Sequence, residues 1–515
     1  MVDRSTKGMV QDAHRANAKE EAVTLVDNPL VRSALHRGAT GEDRGPASGP
    51  LRVHRANPRY FADPDGNAVL LTGSHTWTVL QDAGRSFPPD PFDWSTWLAR
   101  LAALGHSCFR MWAWEQATWV AHDPGEFVFD PLPWARTGPG NALDGRPLFD
   151  LDQFDERYFS RLRARVADAG HVGIYVVVML FQGWSVEWKQ FALAPGRNPW
   201  LGHPFNRSNN RNGFDGDPAG TGEGLATHTL RLPAVAERQR AYVDRVVATV
   251  GDLPNVLYEV SNEDQATAED DAWQDEVLGW IANAERTRGF ATHPRLRTVQ
   301  WPSPASHASL LASPAEAVSF TSPGNHGTGL EDYCGDPPAA DGRKVSLLDT
   351  DHLWGVGGDA GWVWRAALRG HNPLFMDPFE GDFVAHGHFG TDAREAMGVA
   401  RALLEGLGLD RLVPAPERAS SRFALADADL ATIVALVPDR DAITVDVGTN
   451  SRYRLRWVHK TSGLGHAAGH VTGPLVRLAP PWTAGTIAVL ECDEPASDTS
   501  AEIASTPKTV SRSSS

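Results

Sequence analysis

The carboxylate of Glu263 lies at the end of a strand pattern, a position that suits acid–base chemistry. Residues 256–260 form a short, mostly apolar run that is too brief for a helix, and the polar tetrapeptide Ser-Asn-Glu-Asp (residues 261–264) follows it. A helical pattern then covers residues 270–288. A carboxylate at the C-terminal end of a strand that precedes a helix occupies the catalytic position of a (β/α)8 barrel. The pattern predicts Glu263 as a general acid and base, although a solvated, helix-capping turn would look similar.

A second carboxylate is needed if this chemistry is glycoside hydrolysis, because that reaction uses one carboxyl group on each side of the scissile bond. Three aspartates near the ends of later strand patterns are candidates: Asp349, Asp351 and Asp377. Counting strands puts Asp349 and Asp351 on strand seven, on the same side of it because they are two residues apart. The pattern does not choose between them, and such aspartates can also cap a helix or hold a loop.

Eight strand patterns, separated by helices or loops, lie between residues 51 and 410, and they predict an α/β fold of the (β/α)8 (TIM) barrel type. The predicted strands cover residues 68–73, 107–112, 171–180, 256–260, 296–301, 317–321, 345–352 and 373–380. The predicted helices cover residues 93–104, 154–169, 234–250, 270–288, 360–369 and 392–407. Long loops, 114–152 and 181–232, follow strands two and three and are expected to shape a substrate pocket.

The pattern changes after residue 410. Short alternating runs separated by turn residues predict a small antiparallel β-sandwich over residues 411–493. Residues 1–50 are polar and are expected to form an arm, and the Ser/Thr-rich residues 494–515 are expected to be a disordered tail.

The overall composition limits which partners and which kinds of site the protein is expected to have. The 515 residues carry a formal net charge of -16, which disfavours nucleic acid and anionic membranes as partners. Three cysteines form neither a disulfide framework nor a metal-type spacing. The chain shows no signal peptide or transmembrane run, so we expect a cytoplasmic protein unless the start is misassigned or export follows another route. Eighteen Trp against seven Tyr favour a carbohydrate site, because indole faces stack on sugar rings, although Trp also fills cores.

Three motifs together resemble the clan-A glycoside hydrolases, the retaining (β/α)8 enzymes that include cellulases and mannanases. They are GHSCFRMW at 105–112, YEVSNE at 258–263 and KVSLLD at 344–349. Residues 57–77 look like the opening of the apiosidase-like glycosidases, many of which carry a C-terminal sandwich of the collagen-binding type, similar to residues 457–490 here. The resemblance spans residues 51–492. No residue indicates collagen, so we expect the sandwich to be a structural partner of the barrel.

The resemblance implies roles for particular residues. Arg110, at the end of strand two, would support the nucleophile, Asn262 would contact the 2-hydroxyl of the sugar, and Glu263 would be the acid/base. The clan's usual nucleophile is a Glu at the end of strand seven, where this chain has the sequence Asp-Thr-Asp-His (349–352). The shorter Asp widens the gap between the carboxyls, so inversion stays open beside the expected retention. His326, after strand six, loosely matches a residue that lines the clan's site.

An Arg within an apolar strand is costly unless it is paired, so Arg110 also predicts a buried carboxylate partner.

Further sugar contacts are expected at other strand ends. The remaining candidates share only their position near a strand end: His75, Trp77, Trp112, Trp114, Trp184, His352, Trp354 and Asp377.

Two other functions fit the sequence. His352 and His386 to His388 would suit a metal-dependent barrel hydrolase, although a loop is the commoner origin of a His-x-His motif. The Asp at the end of strand seven would also suit a carbohydrate-binding scaffold that has lost catalysis. Our main hypothesis is a cofactor-free glycosidase with a carbohydrate substrate. The sequence does not predict the sugar, the linkage or the oligomeric state.

Overall fold

The computed structural model describes residues 46–120, 126–187, 198–299, 304–320, 335–350, 358–376, 391–438, 441–448, 451–482 and 485–493. These residues form a (β/α)8 barrel followed by an antiparallel β-sandwich, which confirms the predicted fold class. None of the described helices is both long enough and apolar enough to cross a membrane.

Eight parallel strands form the barrel, and we number them one to eight in chain order. They are Gly73–His75, Cys108–Met111, Tyr175–Gln182, Val256–Asn262, Arg295–Val299, Ala317–Phe320, Val345–Asp349 and Asn372–Met376. Strands two to eight pair in sequence, and strand eight pairs with strand one. The backbone amides of Ser107 and Cys108 donate to the carbonyl oxygen of Thr72, so strands one and two also meet and the barrel closes.

Seven described helices surround the barrel strands. They are α1 (Trp94–Ala103), α2 (Glu156–His171), α3 (Pro233–Val250), α4 (Ala268–Arg288), α5 (Pro304–Ala312), α6 (Ala360–Ala367) and α7 (Thr391–Gly406). Four of them begin after a residue whose side chain accepts a hydrogen bond from a first-turn amide, and these N-caps are Asp93, Asp155, Thr267 and Asp359. Short 3-10 helices cover Gly183–Ser185, Pro199–Gly202, Leu225–His228 and Pro416–Arg418.

The first barrel strand begins later than predicted. Phe61–Ala62 pairs with Arg52–Val53 and Ala68–Val69 in a small antiparallel sheet. The prediction of residues 68–73 as strand one was wrong, since that strand is Gly73–His75. A Cβ at Gly73 would lie 2.0 Å from the carbonyl oxygen of Cys108, which shows how closely strands one and two approach.

The predicted long loop over residues 114–152 contains short antiparallel strands that the sequence analysis did not predict. Thr118–Val120 and Glu126–Asp130 pair with each other, and Asp82–Gly84 extends their sheet. Trp134–Asn141 and Pro147–Phe154 form a further antiparallel pair. Gly and Pro interrupt the alternation in Trp134–Asn141, and Thr118–Val120 and Glu126–Asp130 are short, so the sequence pattern did not indicate these strands.

The sandwich packs its larger sheet between two apolar layers. Six strands form that sheet: Val413–Pro414, Ala424–Ala426, Thr432–Val437, Arg452–His459, Gly465–Thr472 and Thr486–Cys492. A second sheet pairs Ile443–Asp446 with Leu475–Leu478, and the two share a core that includes Ile433, Leu490 and Val445. The opposite face of the larger sheet, including Val434 and Val489, packs against α6 and α7 of the barrel.

Candidate active site

Arg110 is the centre of the polar cluster inside the barrel. Its side chain is fully buried, and its Nε and Nη2 atoms donate to the two carboxylate oxygens of Glu259 at 2.9 and 2.5 Å. Its Nη1 donates to Oδ2 of Asp349 at 2.8 Å, and Nη2 also reaches Oδ1 of Asn262 at 2.8 Å. The expected buried carboxylate partner is therefore present twice. One guanidinium joins the ends of strands two, four and seven.

Asp349 ends strand seven, and two side chains contact its Oδ2 atom. Besides Arg110, Nε2 of His75 lies 2.8 Å from Oδ2, and both His75 and Asp349 are fully buried. The His75 ring stacks on Trp112, with the ring centroids 5.5 Å apart and the planes 13° apart. Strand one thus orients the strand-seven carboxylate through His75, and Trp112 fixes the plane of that imidazole.

Glu263 follows strand four directly and has a backbone conformation that L residues adopt rarely. Its φ is 58°, in the left-handed region, and only 5% of the residue is exposed. A Cβ at Gly183 would lie 2.2 Å from the carbonyl oxygen of Glu263, so the loop after strand three abuts this backbone. Rare backbone conformations of this kind cluster at functional sites, where surrounding packing maintains them.

Asn262 connects Arg110 to Gln182, at the end of strand three. Its Oδ1 accepts from Arg110, and its Nδ2 donates to Oε1 of Gln182, at the end of strand three, at 3.2 Å. The backbone amide of Gln182 in turn donates to Oε1 of Glu115 at 2.8 Å. A chain of hydrogen bonds therefore runs from strand seven through strands two, four and three to the segment after strand two.

The predicted tryptophan contacts fall into two groups. Trp112 and Trp114 are buried, and Trp112 lies between His75 and the guanidinium of Arg110, whose Cζ is 5.0 Å from the ring centroid. Trp77 and Trp184 are partly exposed. Because Trp77 and Trp184 keep some exposed surface, they are better placed than Trp112 and Trp114 for contact with a ligand.

Several predicted residues lie outside the described part of the chain. These are His326, Asp351, His352, Trp354, Asp377 and the His386 to His388 motif. Among the described residues, no group of three or more His, Cys, Asp or Glu side chains is arranged to hold a metal ion.

Glu259 is a site residue that the sequence analysis missed. It is fully buried in strand four, and besides Arg110 it accepts from Oγ1 of Thr298, on strand five, at 2.6 Å. The available signal was an acidic residue within an apolar strand, two strands away from a buried Arg.

A second missed cluster lies beside Glu263. Nδ1 of His228 is 2.7 Å from Oδ1 of Asp264, and its Nε2 is 3.0 Å from Oε1 of Glu115. Nε2 of His203 lies 3.3 Å from the other oxygen of Glu115. The His228 ring stacks on Trp273 with its centroid 4.5 Å away. These residues follow strands two, three and four and are far apart in sequence, so no sequence spacing marks them.

The protonation of this second cluster follows from its charges. Burial alone would lower the pKa of His228, but Asp264 and Glu115 outweigh it and raise that pKa to about 10. Burial would raise the pKa of Glu115, but His228 and His203 lower it to about 2. Burial is the main reason why the pKa of His203 lies below its ordinary value. His228 is therefore a buried cation between two carboxylates near neutral pH.

Replacing His228 with Phe is expected to lower the free energy of unfolding by about 3–5 kcal/mol, because the buried Asp264 and the largely buried Glu115 lose their cation. The wild-type contribution is present below the ordinary His pKa of 6.5 and is lost as the pH rises through about 10. Urea unfolding at pH 7 and pH 10 measures both effects, and the difference between the proteins should shrink at pH 10. His203→Phe is the matched control with a smaller loss. Equal losses for the two variants would contradict this assignment.

The chain is similar to known proteins in its fold rather than in its sequence. No protein-family model and no curated protein sequence matches the chain. A solved structure described as a glycoside hydrolase superposes with a TM-score of 0.57 at 10% identity, over 87% of this chain and 98% of that one. A glycoside hydrolase family 5 structure from Bacteroides vulgatus gives a TM-score of 0.56 at 12% identity, over 87% and 95% of the two chains. The chain shares the fold of these glycoside hydrolases.

Proposed function

We propose that this protein is a glycoside hydrolase that cleaves an O-glycosidic bond in an oligosaccharide or small glycoside. The observation that carries the proposal is the linked pair of strand ends, with Glu263 after strand four and Asp349 at the end of strand seven, joined through Asn262 and Arg110. Glycoside hydrolysis requires two carboxyl groups. The shared fold with glycoside hydrolases supports the same conclusion.

The proposed mechanism gives each residue a separate task. Glu263 protonates the leaving oxygen while Asp349 attacks the anomeric carbon, which breaks the glycosidic bond and forms a glycosyl-enzyme intermediate. Glu263 then removes a proton from water, and that water releases the sugar with retained configuration. Asn262 orients the 2-hydroxyl of the sugar. Asp349 is preferred to Asp351 as the nucleophile because Arg110 and His75 contact the carboxylate of Asp349.

The test begins with a panel of aryl pyranosides and furanosides. Wild-type protein is expected to release the aryl group from at least one sugar. Proton NMR of the first product formed should show the same anomer as the substrate. An inverted product would contradict the nucleophilic role of Asp349. A carbohydrate-binding scaffold would bind a sugar in the panel and cleave none.

Asp349→Ala is expected to lower kcat/KM on the cleaved glycoside by at least about 10³-fold, since the proposed covalent step is removed. Azide should restore turnover and yield a glycosyl azide of opposite anomeric configuration, because the small anion fills the space of the carboxylate. Asp351→Ala is the matched variant two residues away. Azide rescue of Asp351→Ala instead would assign the nucleophile to Asp351.

A further inference from the structure

The turn between strand four and α4 holds two residues in an uncommon backbone conformation. Four non-glycine residues in the described ranges have a positive φ, and Glu263 (58°) and Ala266 (53°) are two of them. L residues adopt this left-handed region at an energetic cost, so surrounding contacts must maintain it. The contacts that do so at Glu263 also fix the direction in which its side chain leaves the backbone.

The loop after strand three closes on this turn from one side. A Cβ at Gly183 would lie 2.2 Å from the carbonyl oxygen of Glu263 and 2.8 Å from the amide nitrogen of Asp264. The structure therefore has no space for a side chain between Gly183 and the peptide group that joins Glu263 to Asp264. Packing against Gly183 limits any movement of that peptide group toward strand three.

His228 holds the same turn through hydrogen bonds. Its Nδ1 lies 2.7 Å from Oδ1 of Asp264, the residue after Glu263, and its Nε2 lies 3.0 Å from Oε1 of Glu115. The same oxygen of Glu115 accepts from the backbone amide of Gln182 at 2.8 Å, and Gln182 immediately precedes the glycine that packs on Glu263. These contacts form a closed ring that begins and ends at Glu263.

The orientation of His228 is fixed by two helices of the barrel. Its ring stacks on Trp273 of α4, with the centroids 4.5 Å apart and the planes 7° apart. The indole Nε1 of Trp273 donates to Oε1 of Gln239 on α3 at 3.1 Å, and Nε2 of Gln239 donates to the carbonyl oxygen of Thr227 at 2.9 Å. The imidazole is therefore held in one plane, which makes it a rigid support for the turn rather than a mobile counter-ion.

We propose that His228 is a positioning residue that acts through Asp264 and holds the backbone of Glu263 in the conformation that suits proton transfer. The inference rests on the proposed function and adds a residue outside the pair of carboxylates. Proton transfer requires an acid within hydrogen-bond reach of the leaving oxygen, and a displacement of about 1 Å can lower a rate by about 10²-fold. A small rotation of this turn would therefore weaken acid catalysis without removing either carboxylate.

The test uses two substrates with the same reacting sugar, the one that the aryl panel identifies. One is a glycoside with a poor leaving group, which needs a proton from Glu263, and the other is the glycosyl fluoride, which needs little acid assistance. His228→Gln should lower the ratio of kcat/KM for the glycoside to that for the fluoride by about 10–100-fold. The reason is that glutamine has a single donor nitrogen and cannot bridge Asp264 and Glu115 as the two ring nitrogens do. A loss of stability alone would lower both rates together and leave the ratio unchanged.

His203→Gln is the matched control. Nε2 of His203 contacts the other oxygen of Glu115, and its Nδ1 accepts from the backbone amide of Phe205, so His203 lies outside the ring. This variant should leave the ratio unchanged. Adding His228→Gln to Glu263→Gln should lower the ratio no further than Glu263→Gln alone, because His228 acts through the carboxyl group of Glu263.

Gly183→Ala tests the ring from its other side without altering a buried charge. The added Cβ must displace the carbonyl group of Glu263, so the same ratio should fall. Gly398→Ala is the control for this clash, since a Cβ there would lie 1.9 Å from the carbonyl oxygen of Leu104, where α7 meets the end of α1. Gly398→Ala should lower the urea midpoint of unfolding and leave the ratio unchanged.

The outcomes separate the inference from the proposed function. An unchanged ratio in His228→Gln, with both substrates hydrolysed, would overturn the inference and leave the proposed function intact. If that variant does not fold, an unchanged ratio in Gly183→Ala has the same meaning, and an equal fall in His203→Gln would overturn the inference as well. If wild-type protein hydrolyses neither a glycoside nor a glycosyl fluoride, the proposed function fails and the inference falls with it.

Discussion

Glu263→Gln is expected to lower kcat/KM on glycosides with poor leaving groups by about 10²–10⁴-fold, because the amide cannot transfer a proton to the departing oxygen. The change preserves the size of a residue that is only 5% exposed, so the fold should be retained. Hydrolysis of the matching glycosyl fluoride should fall much less, since fluoride departs without a full proton transfer. Steady-state kinetics on both substrates measure the difference.

Glu269→Gln is the matched control for this experiment. Glu269 lies six residues farther along the chain, is exposed, and pairs with Arg231 at the surface, so its loss should change neither substrate's kinetics. Circular dichroism of both variants checks the fold. Full activity of Glu263→Gln on poor leaving groups would refute the acid/base assignment.

Arg110→Met is expected to lower the free energy of unfolding by about 3–5 kcal/mol, because it leaves Glu259 and Asp349 buried without their shared cation. Activity should be lost as well, because Asp349 and Asn262 lose the group that aligns them. Urea unfolding followed by circular dichroism measures the first effect, and turnover of the cleaved glycoside measures the second.

A second substitution separates charge from packing in this result. Adding Glu259→Gln to Arg110→Met removes one of the two uncompensated charges, so the double variant should be more stable than Arg110→Met alone. The activity of the double variant should remain low. A double variant that is less stable than Arg110→Met would show that Glu259 contributes through contacts other than its ion pair.

Part of the site could be predicted from the energetic cost of burying a single charged residue, Arg110. An Arg in an apolar strand requires a buried counter-charge wherever it lies, and Arg110 has two. The identity of those partners depends on the register of strands two, four and seven in a closed ring. That register follows from many weak packing preferences, so Glu259 was missed and the contact of His75 with Asp349 was not anticipated.

The features that could not be predicted depend on residues far apart in the sequence, or on one run of residues that contributes to two sheets. Glu115, His203, His228 and Asp264 meet only because two long segments fold over the ends of strands three and four. The run at residues 68–73 is mostly apolar, yet its beginning pairs in a small sheet and its end starts the barrel. Apolar periodicity reports burial, and it does not distinguish which sheet provides the burial.

The contact between the sandwich and the barrel has a consequence for protein engineering. Val434 and Val489 cover apolar side chains of α6 and α7, and the indole Nε1 of Trp364 on α6 donates to the carbonyl oxygen of Lys460 at 2.8 Å. A barrel excised at residue 410 would expose this apolar surface to water, and such patches promote aggregation. A shortened version of this protein for biotechnological use would therefore need polar substitutions on both helices.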